Sequence, residues 1–365
     1  MKMRIRIAAL LLLSLCSLAG HAQNKYSNEF LSIGIGARGL ALSGTCCAMT
    51  DDVTSAYWNP AGLARMDKRY QLSLMHAEYF AGAAKYDYAG IGCKIDGRSS
   101  VALTYIRFGV DNIMNTTELI DAQGNVDYDR ISLFSAADNA VLLDYAYAFE
   151  WVPGLSLGGG AKIVYRKIGQ FANAWGFGLD AGLQFVRKGW QAGLMLRDLT
   201  STFNVWNYHI TDQVAEVFRQ TGNTIPENAT ELTLPSVQLG GAKYIDFGKG
   251  FNATFALGLD CTFDGKRNVL IRSKALNIDP HLGMEFGYKK IVALRMGIGN
   301  LQQETDFDGS RKTTLQINAG LGVCIKNIVT IDYAFTDLGN LSIAQYSHIF
   351  SVKVALDRFR KQTKE

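Results

Sequence analysis

The sequence predicts an all-β membrane protein: an antiparallel outer-membrane β-barrel of about fourteen strands, with an N-terminal hatch inside its lumen. Three observations lead to this fold class, namely a secretory leader, long segments that alternate with period two, and connections that are alternately tight and long. The chain of 365 residues is 48% hydrophobic, 19% charged and contains 37 glycines, which excludes an intrinsically disordered protein.

The first 22 residues predict a signal peptide. Basic residues within 1–6 precede an almost unbroken apolar run at 7–18, and small residues at 20–22 suit cleavage before Gln23. Cleavage removes three basic residues and no acidic one, so the net charge falls from +4 to about +1. A cytoplasmic location is therefore excluded, and the near-neutral mature chain predicts no nucleic-acid partner.

Strict alternation of apolar and polar residues predicts long strands with one apolar face. Within 175–185 the odd positions hold Trp, Phe, Leu, Ala, Leu and Phe, whereas the even positions hold Gly, Asp and Gln. The same split recurs at 251–263 and 315–326, and after the leader no apolar run approaches the roughly 18 residues of a membrane helix. The predicted strands lie near 69–79, 85–96, 99–109, 139–151, 155–168, 173–187, 189–199, 235–247, 250–263, 276–288, 291–299, 313–326, 328–336 and 346–357.

The connections between these strands favour a membrane barrel over a soluble sandwich. The even-numbered strands from the second to the twelfth are each followed by a tight turn, whereas the long loops, 110–138 and 200–234, follow odd-numbered strands. Short periplasmic turns and long external loops are typical of outer-membrane barrels. The barrel is therefore predicted at 68–357, with a periplasmic tail at 358–365. Aromatic residues lie beside the connections, as a membrane interface favours: Trp151, Trp190, Phe247, Phe251, Tyr288 and Trp175.

Polar residues with lumen parity are the first group of candidate site residues. In a barrel interior such side chains usually pair with each other or with a plug, which we favour over direct contact with a ligand. They are Asp180, Arg197, Asp260, His281, Glu285, Arg295 and Asp332.

Residues 23–67 fit no strand pattern and form the predicted hatch. The stretch 30–44 is rich in Gly and Ala, which allow close packing inside a lumen, and 55–63 reads Ser-Ala-Tyr-Trp-Asn-Pro-Ala-Gly-Leu. An Asn-Pro step followed by Gly indicates a locally fixed turn. The candidate residues of this hatch motif are Arg38, Asp51, Asp52, Trp58, Asn59, Pro60 and Gly62.

This motif resembles the PorV/PorQ family of Bacteroidota, which is in turn similar to the FadL-type hydrocarbon transporters. The resemblance implies a fourteen-stranded, hatch-closed barrel in the outer membrane of a Gram-negative bacterium. It implies a non-enzymatic component of type IX secretion that binds exported proteins or assists their export and surface attachment. The alternative is a FadL-like channel for uptake of hydrophobic small molecules, often with sideways release into the membrane. The implied partners are outer-membrane lipid, type IX secretion subunits or exported proteins, and a hydrophobic small molecule.

The sequence contains no pattern that indicates a metal site, a cofactor or an enzyme. The cysteines and histidines show no metal-ligand spacing, so neither a metal nor a cofactor is expected. Histidines lack a nearby nucleophile motif, which predicts that the protein is not an enzyme. The adjacent Cys46 and Cys47 allow a strained disulfide, but small apolar packing is favoured. Within the loop 200–234, residues 214–219 show helical spacing, and a mobile polar loop is the open alternative.

Overall fold

A computed structural model of the chain describes residues 27–80, 82–119, 125–305, 310–339 and 346–357. The predicted signal peptide at 1–22, the start of the hatch at 23–26 and the predicted tail at 358–365 lie outside the described residues. Within the described ranges, no helix combines the length and the apolar composition needed to cross a bilayer.

The described strands form one antiparallel sheet that closes on itself. Its first and last strands pair directly, with Tyr70 opposite Leu356 and Glu78 opposite His348. The strands are β1 Tyr70–Tyr79, β2 Ala84–Lys94, β3 Ser99–Asn115, β4 Ser132–Ala148, β5 Leu155–Ile168, β6 Ala172–Arg187, β7 Trp190–Arg197, β8 Thr202–Tyr208, β9 Thr230–Thr233, β10 Ser236–Gly248, β11 Phe251–Thr262, β12 Ile271–Arg272, β13 Asn277–Tyr288, β14 Val292–Thr305, β15 Arg311–Ile325, β16 Val329–Thr336 and β17 Ser347–Leu356.

Fourteen of these units form the barrel wall. Strands β7 and β8 both pair with β6 and are two halves of one interrupted strand. Strands β9 and β10 are likewise two halves of its neighbour, and the two-residue β12 is an addition beside β13. Counted in this way among the described residues, the wall has fourteen strands, which confirms the predicted fold class.

The alternation in the sequence places apolar residues outside and polar residues inside. Trp175, Phe177 and Leu183 on β6 are exposed on the outer wall, as lipid-facing residues should be, whereas Gln184 on the same strand is fully buried. The same division holds on β11, where Leu257 is exposed. A one-residue slip in any strand would reverse this arrangement, so the alternation fixes the register.

The hatch, defined here as residues 27–66, lies within the barrel. It contains a 3₁₀-helix at Glu29–Leu31, helices α1 Ala37–Ala41 and α2 Ser55–Trp58, and a 3₁₀-helix at Pro60–Arg65. Helix α1 packs on β14 to β17, and the second 3₁₀-helix packs on β3 to β6 across the lumen. The core is an apolar cluster shared between the hatch and the wall.

Two predicted loop boundaries are wrong. Strand β3 continues to Asn115 and β4 begins at Ser132, so the predicted loop 110–138 shrinks to 116–131. The reason is a bulge: Asn112 adopts a positive φ of 59° and the register shifts there, which interrupts the alternation without ending the strand. Strand β14 passes a similar bulge at Asn300 and ends at Thr305 instead of 299.

The predicted loop 200–234 is also wrong in part, because it contains strands β8 and β9. Each is short, and the turn at 198–201 separates β8 from the alternation of β7, so the pattern is hard to recognise. Between them lies α3 Asp212–Gln220, whose first turn is capped by the Thr211 hydroxyl accepting from the Val214 amide at 3.4 Å. This confirms the helical alternative for 214–219.

Candidate functional site

One side of the hatch is held by buried charges. Arg38 on α1 donates from Nε and Nη2 to the Glu285 carboxylate at 2.9 and 3.0 Å. Glu285 also accepts from Arg295 at 2.6 Å, and Arg295 donates to Asp332 at 2.6 Å. These four residues form one alternating chain of charges from the hatch across β13, β14 and β16. Asp51 lies at its edge, 3.9 Å from Arg38.

A second ion pair joins the hatch to the last strand. The Lys353 ammonium donates to Asp52 Oδ2 at 2.5 Å, while the other carboxylate oxygen accepts from the Thr54 amide at 2.9 Å and its hydroxyl at 2.5 Å. Burial favours the neutral acid, but Lys353 and Arg38 outweigh it and hold the pKa of Asp52 well below its usual range. Asp52 is therefore a buried carboxylate that remains charged.

The opposite side of the hatch is held by amide hydrogen bonds around Asn59. Its Nδ2 lies within hydrogen-bonding distance of three carbonyl oxygens, on Cys47 at 2.9 Å, Leu183 at 3.0 Å and Leu194 at 3.3 Å. Its Oδ1 accepts from the Ala61 amide at 3.2 Å and so caps the 3₁₀-helix, where Pro60 is preorganised for the first position. The Asn-Pro step thus connects the hatch to β6 and β7.

Close packing requires glycine at several positions of the hatch. A Cβ on Gly62 would lie 2.3 Å from the Thr50 carbonyl oxygen. A Cβ on Gly39 would lie 2.6 Å from the Trp58 ring, and Gly34 packs on the same ring. Trp58 donates from Nε1 to the Ile35 carbonyl at 3.2 Å, so the indole is fixed in its orientation.

A lumenal cavity of about 630 Å³ lies on the long-loop side of the hatch. One wall is aromatic and contains Trp58, Tyr79 and Phe108. The facing wall is polar and is built by side chains of β10 to β15, including Gln238 and Gln316. Its volume is within the range of about 300–1,000 Å³ that small-molecule sites occupy. The arrangement suits a ligand that has both an apolar part and hydrogen-bonding groups.

The structure places the candidate lumen residues in three different surroundings. Arg197, Asp260 and His281 line the cavity, and His281 lies 3.5 Å from Asp260. Asp180 pairs instead with Lys162 at 2.9 Å on the wall. The remaining members, Glu285, Arg295 and Asp332, belong to the chain of charges that holds α1.

Arg197 mainly positions the hatch. It donates to the backbone carbonyls of Leu31 and Tyr57, each at 3.0 Å, and to Gln238 at 3.1 Å. Its guanidinium also lies 4.3 Å from the centre of the Tyr57 ring. The side chain therefore connects β7 to two points of the hatch beside the cavity.

Sequence reasoning missed four partners in these networks. Lys162, Lys353 and Gln184 have lumen parity but were not singled out, and Asp279 has the parity of His281, from which it lies 3.7 Å. Gln184 donates to the Cys47 and Thr50 carbonyls of the hatch at 3.0 and 3.2 Å. A lone lysine among small residues on the lumen face was the available signal for Lys162 and Lys353.

An interruption of the wall adjoins the cavity. We use the name strand break for 198–201, between β7 and β8, together with 234–235, between β9 and β10. Asp198 and Ser201 have positive φ, and Pro235 cannot donate a ladder hydrogen bond. A pocket of about 80 Å³ lies there, and Arg197 and Ser236 line both this pocket and the large cavity. The two spaces are therefore adjacent.

The N-terminal end of the hatch crosses the strand break. Asn28 donates to the Thr233 hydroxyl at 2.9 Å, and Asn204 on β8 donates to Asn28 Oδ1 at 3.0 Å. Ser27 donates to Glu231 at 3.1 Å. These bonds join β8 and β9 through the hatch where the two strands begin to separate.

The two adjacent cysteines of the hatch are free thiols. Both are buried, and burial raises the pKa of Cys46 and of Cys47 to about 12. They therefore pack as small protonated side chains.

The histidines of the described residues contact Asp, Tyr or Asn side chains, for example His76 with Asp87 at 2.7 Å. Among the described residues, no three His, Cys, Asp or Glu side chains are grouped as metal ligands.

Comparisons with known proteins identify the fold. No known family model and no curated protein matches the sequence. The structure is similar to the CymD monoaromatic hydrocarbon channel, with a TM-score of 0.57, 13% identity and coverage of 90% of this chain and 99% of that one. It is also similar to the toluene transporters TodX of Pseudomonas putida and TbuX of Ralstonia pickettii, each with a TM-score of 0.54 and 13% identity. These matches cover 89% and 88% of this chain and 98% of each transporter. At such identities the likeness establishes the fold alone, which is the closed antiparallel β-barrel of these channels and transporters.

Proposed function

We propose that the protein is an outer-membrane channel that takes up a small, partly apolar molecule through its lumenal cavity. The observation that carries this proposal is the adjacency of the cavity of about 630 Å³ and the strand break, with Arg197 and Ser236 lining both spaces. The similar structures are described as channels or transporters of monoaromatic hydrocarbons and toluene, which supports a transport role.

The proposed substrate differs from a pure hydrocarbon. The aromatic wall supplies apolar surface, but the facing wall offers the amides of Gln238, Gln316 and Asn318 and the Asp260 carboxylate. Part of their hydrogen-bonding capacity is used within the protein, since Gln238 accepts from Arg197 at 3.1 Å and Asn318 donates to Ser43 at 2.8 Å. A ligand without polar groups would displace water from their remaining donors and acceptors and leave those unsatisfied, which costs free energy. We therefore expect an aromatic alcohol or a similar amphipathic molecule to bind better than toluene.

The proposed route passes from the long loops to the cavity and then sideways through the strand break. At the strand break, main-chain hydrogen bonds between β7–β8 and β9–β10 are interrupted. The wall can therefore open there without the separation of a complete pair of strands. Opening requires only that the hatch contacts made by Ser27 and Asn28 rearrange. The charged attachments of α1 lie on the other side of the lumen and are unaffected by that movement.

The test is uptake of 2-phenylethanol and of toluene into proteoliposomes, with two tryptophan variants of β10. Ser236→Trp places an indole where the two spaces meet, and we expect at least tenfold slower uptake of the alcohol. Leu239→Trp, on the outer wall of the same strand, is the matched control and should transport normally. Equal uptake by both variants would contradict the route, and uptake no faster than in protein-free liposomes would contradict the function.

The second candidate is the type IX secretion role, which the resemblance of the hatch motif to PorV and PorQ supports. It would be tested by gentle affinity purification from native envelopes, followed by mass spectrometry of the protein and lipid fractions. Stoichiometric secretion subunits or exported proteins would favour this role. A barrel that copurifies with a defined small molecule and no such protein would favour the channel.

A further inference from the structure

A groove of about 580 Å³ lies at the rim of the barrel, outside the sites described above. We call it the rim groove. It forms because β4 rises above its neighbour: Ala136 is the first β4 residue paired with β5, so residues 132–135 project beyond the short β5–β6 turn. That turn contributes Gly169 and Phe171, and His209 closes the groove after β8.

The rim groove opens on the outer wall. Lys167 and Asn173, which line it, have the same parity as the outward-facing Tyr165 and Trp175. The rings of Tyr165 and Trp175 are 4.6 Å apart, and Trp175 is 59% exposed. Such an aromatic pair is typical of a membrane interface. Lys167 is two residues farther along β5, about 7 Å toward the long loops, at the level of lipid head groups.

The charge of the rim groove is positive. Lys167 is its one formally charged lining residue, and no ion pair of Lys167 is present in the described part of the chain. By contrast, Arg107 on the outer wall is paired with Asp87 and with Asp111, both at 3.8 Å. The rim groove thus leaves an ammonium group available to an external anion.

Further donors and an apolar wall accompany Lys167. His209 lies 3.0 Å from the Asn173 amide, and Gln170 adds a further polar group. Phe134 and Phe171 pack edge to face at 5.3 Å on the other side, and Leu133 beside them is 60% exposed. A cation with hydrogen-bond donors suits a phosphate, and the apolar wall suits a sugar ring or the first part of an acyl chain.

We propose that the rim groove binds the phosphorylated head group of an outer-leaflet glycolipid of the lipid A type. The groove lies at the head-group level of the leaflet reached by the long loops, its lining carries no carboxylate, and it combines anion-binding and apolar groups. The proposal rests on the outer-membrane location proposed above and is independent of the transport route.

The test is a titration of the purified, detergent-solubilised protein with bisphosphorylated lipid A, followed by native mass spectrometry. We expect Lys167→Glu to weaken binding at least tenfold and Lys167→Arg to retain it. Lys312→Glu, an exposed lysine at the same end of the barrel on β15, is the matched control and should bind as the unmodified protein does. Heat-modifiable migration in gels verifies that each variant is a folded barrel.

Three probes distinguish the source of the phosphate. Dephosphorylated lipid A should bind at least tenfold more weakly, and neither inorganic phosphate nor phosphatidylglycerol should displace lipid A at equal concentration. Equal binding by Lys167→Glu and the unmodified protein would overturn the site. Displacement by inorganic phosphate or phosphatidylglycerol would overturn the glycolipid as its ligand.

Discussion

The Asp52–Lys353 pair is expected to keep the hatch closed, and Lys353→Met tests this. The substitution removes an ammonium group 2.5 Å from a carboxylate whose side chain is 7% exposed. Loss of one partner of a buried pair costs about 3–5 kcal/mol. Because the two Thr54 contacts remain and offset part of the loss, we expect about 3 kcal/mol, or roughly 100-fold more of the open hatch.

The hatch thiols report this opening. Cys46 and Cys47 are buried, and their high pKa keeps them protonated, so a water-soluble maleimide reacts with them when the hatch opens. The other cysteines among the described residues, Cys93, Cys261 and Cys324, are replaced by serine to remove background labelling. In Lys353→Met, labelling of the two hatch thiols should be roughly 100-fold faster than in the parent.

Two further variants make the result specific. Adding Asp52→Asn to Lys353→Met removes the unpaired charge and should restore protection to within about tenfold. Lys68→Met breaks an exposed pair with Asp357 outside the hatch, 2.8 Å apart, and should leave labelling unchanged. Labelling of Lys353→Met at the parental rate would refute the role of the pair, as would equal acceleration by Lys68→Met.

Three other outcomes follow from the same structure. Because the folded pKa of Asp52 is depressed, its contribution to hatch stability is complete above its unfolded pKa of about 3.9 and is lost as pH falls toward the folded value. Hydrogen-exchange protection factors of the hatch, which correct for the intrinsic effect of pH on exchange, should therefore fall below about pH 4, and Asp52→Asn should weaken this dependence. Leu257→Arg, on the lipid face, should lower the free energy of membrane folding by about 2–4 kcal/mol in a folding titration. Gln316→Arg, in the cavity, should not. Similar losses of folding free energy in the two variants would contradict the inside–outside assignment. Gly39→Ala forces a methyl group against the hatch indole and should cost about 1–3 kcal/mol in thermal unfolding, while Gly97→Ala in an open turn should be neutral; a neutral Gly39→Ala would show that the hatch packs loosely.

The barrel could be predicted from sequence because lipid enforces one chemical rule along every strand. Trp175 and Phe177 must face hydrocarbon, and Gln184 must face the interior, so a period-two pattern survives wherever the strand is regular. The pattern is lost where a bulge interrupts a strand. At Asn112 and at the strand break one or more residues are added to the ladder, the parity changes, and the local sequence then looks like a loop.

The site was less accessible to sequence reasoning than the fold. Parity places Glu285, Arg295 and Asp332 inside the lumen, but pairing depends on the relative heights of different strands, which tilt and bulges determine. For the same reason parity does not distinguish Asp180 from Asp260. In the structure Asp180 pairs with Lys162 on the wall, whereas Asp260 lines the cavity. Lys353 has lumen parity, but its partner Asp52 lies 301 residues away in the chain, so the sequence does not indicate the pair.

That separation governs the order in which the protein can assemble. The hatch is made before any strand, yet the Ala37 amide bonds the Ser351 hydroxyl 314 residues later, on the strand that closes the barrel against β1. Its docking surface is therefore incomplete until the last strand has been inserted, and we expect its contacts to form after the rate-limiting closure of long-range pairs. Loss of a hatch contact should shorten the lifetime of the folded barrel while leaving its rate of formation almost unchanged.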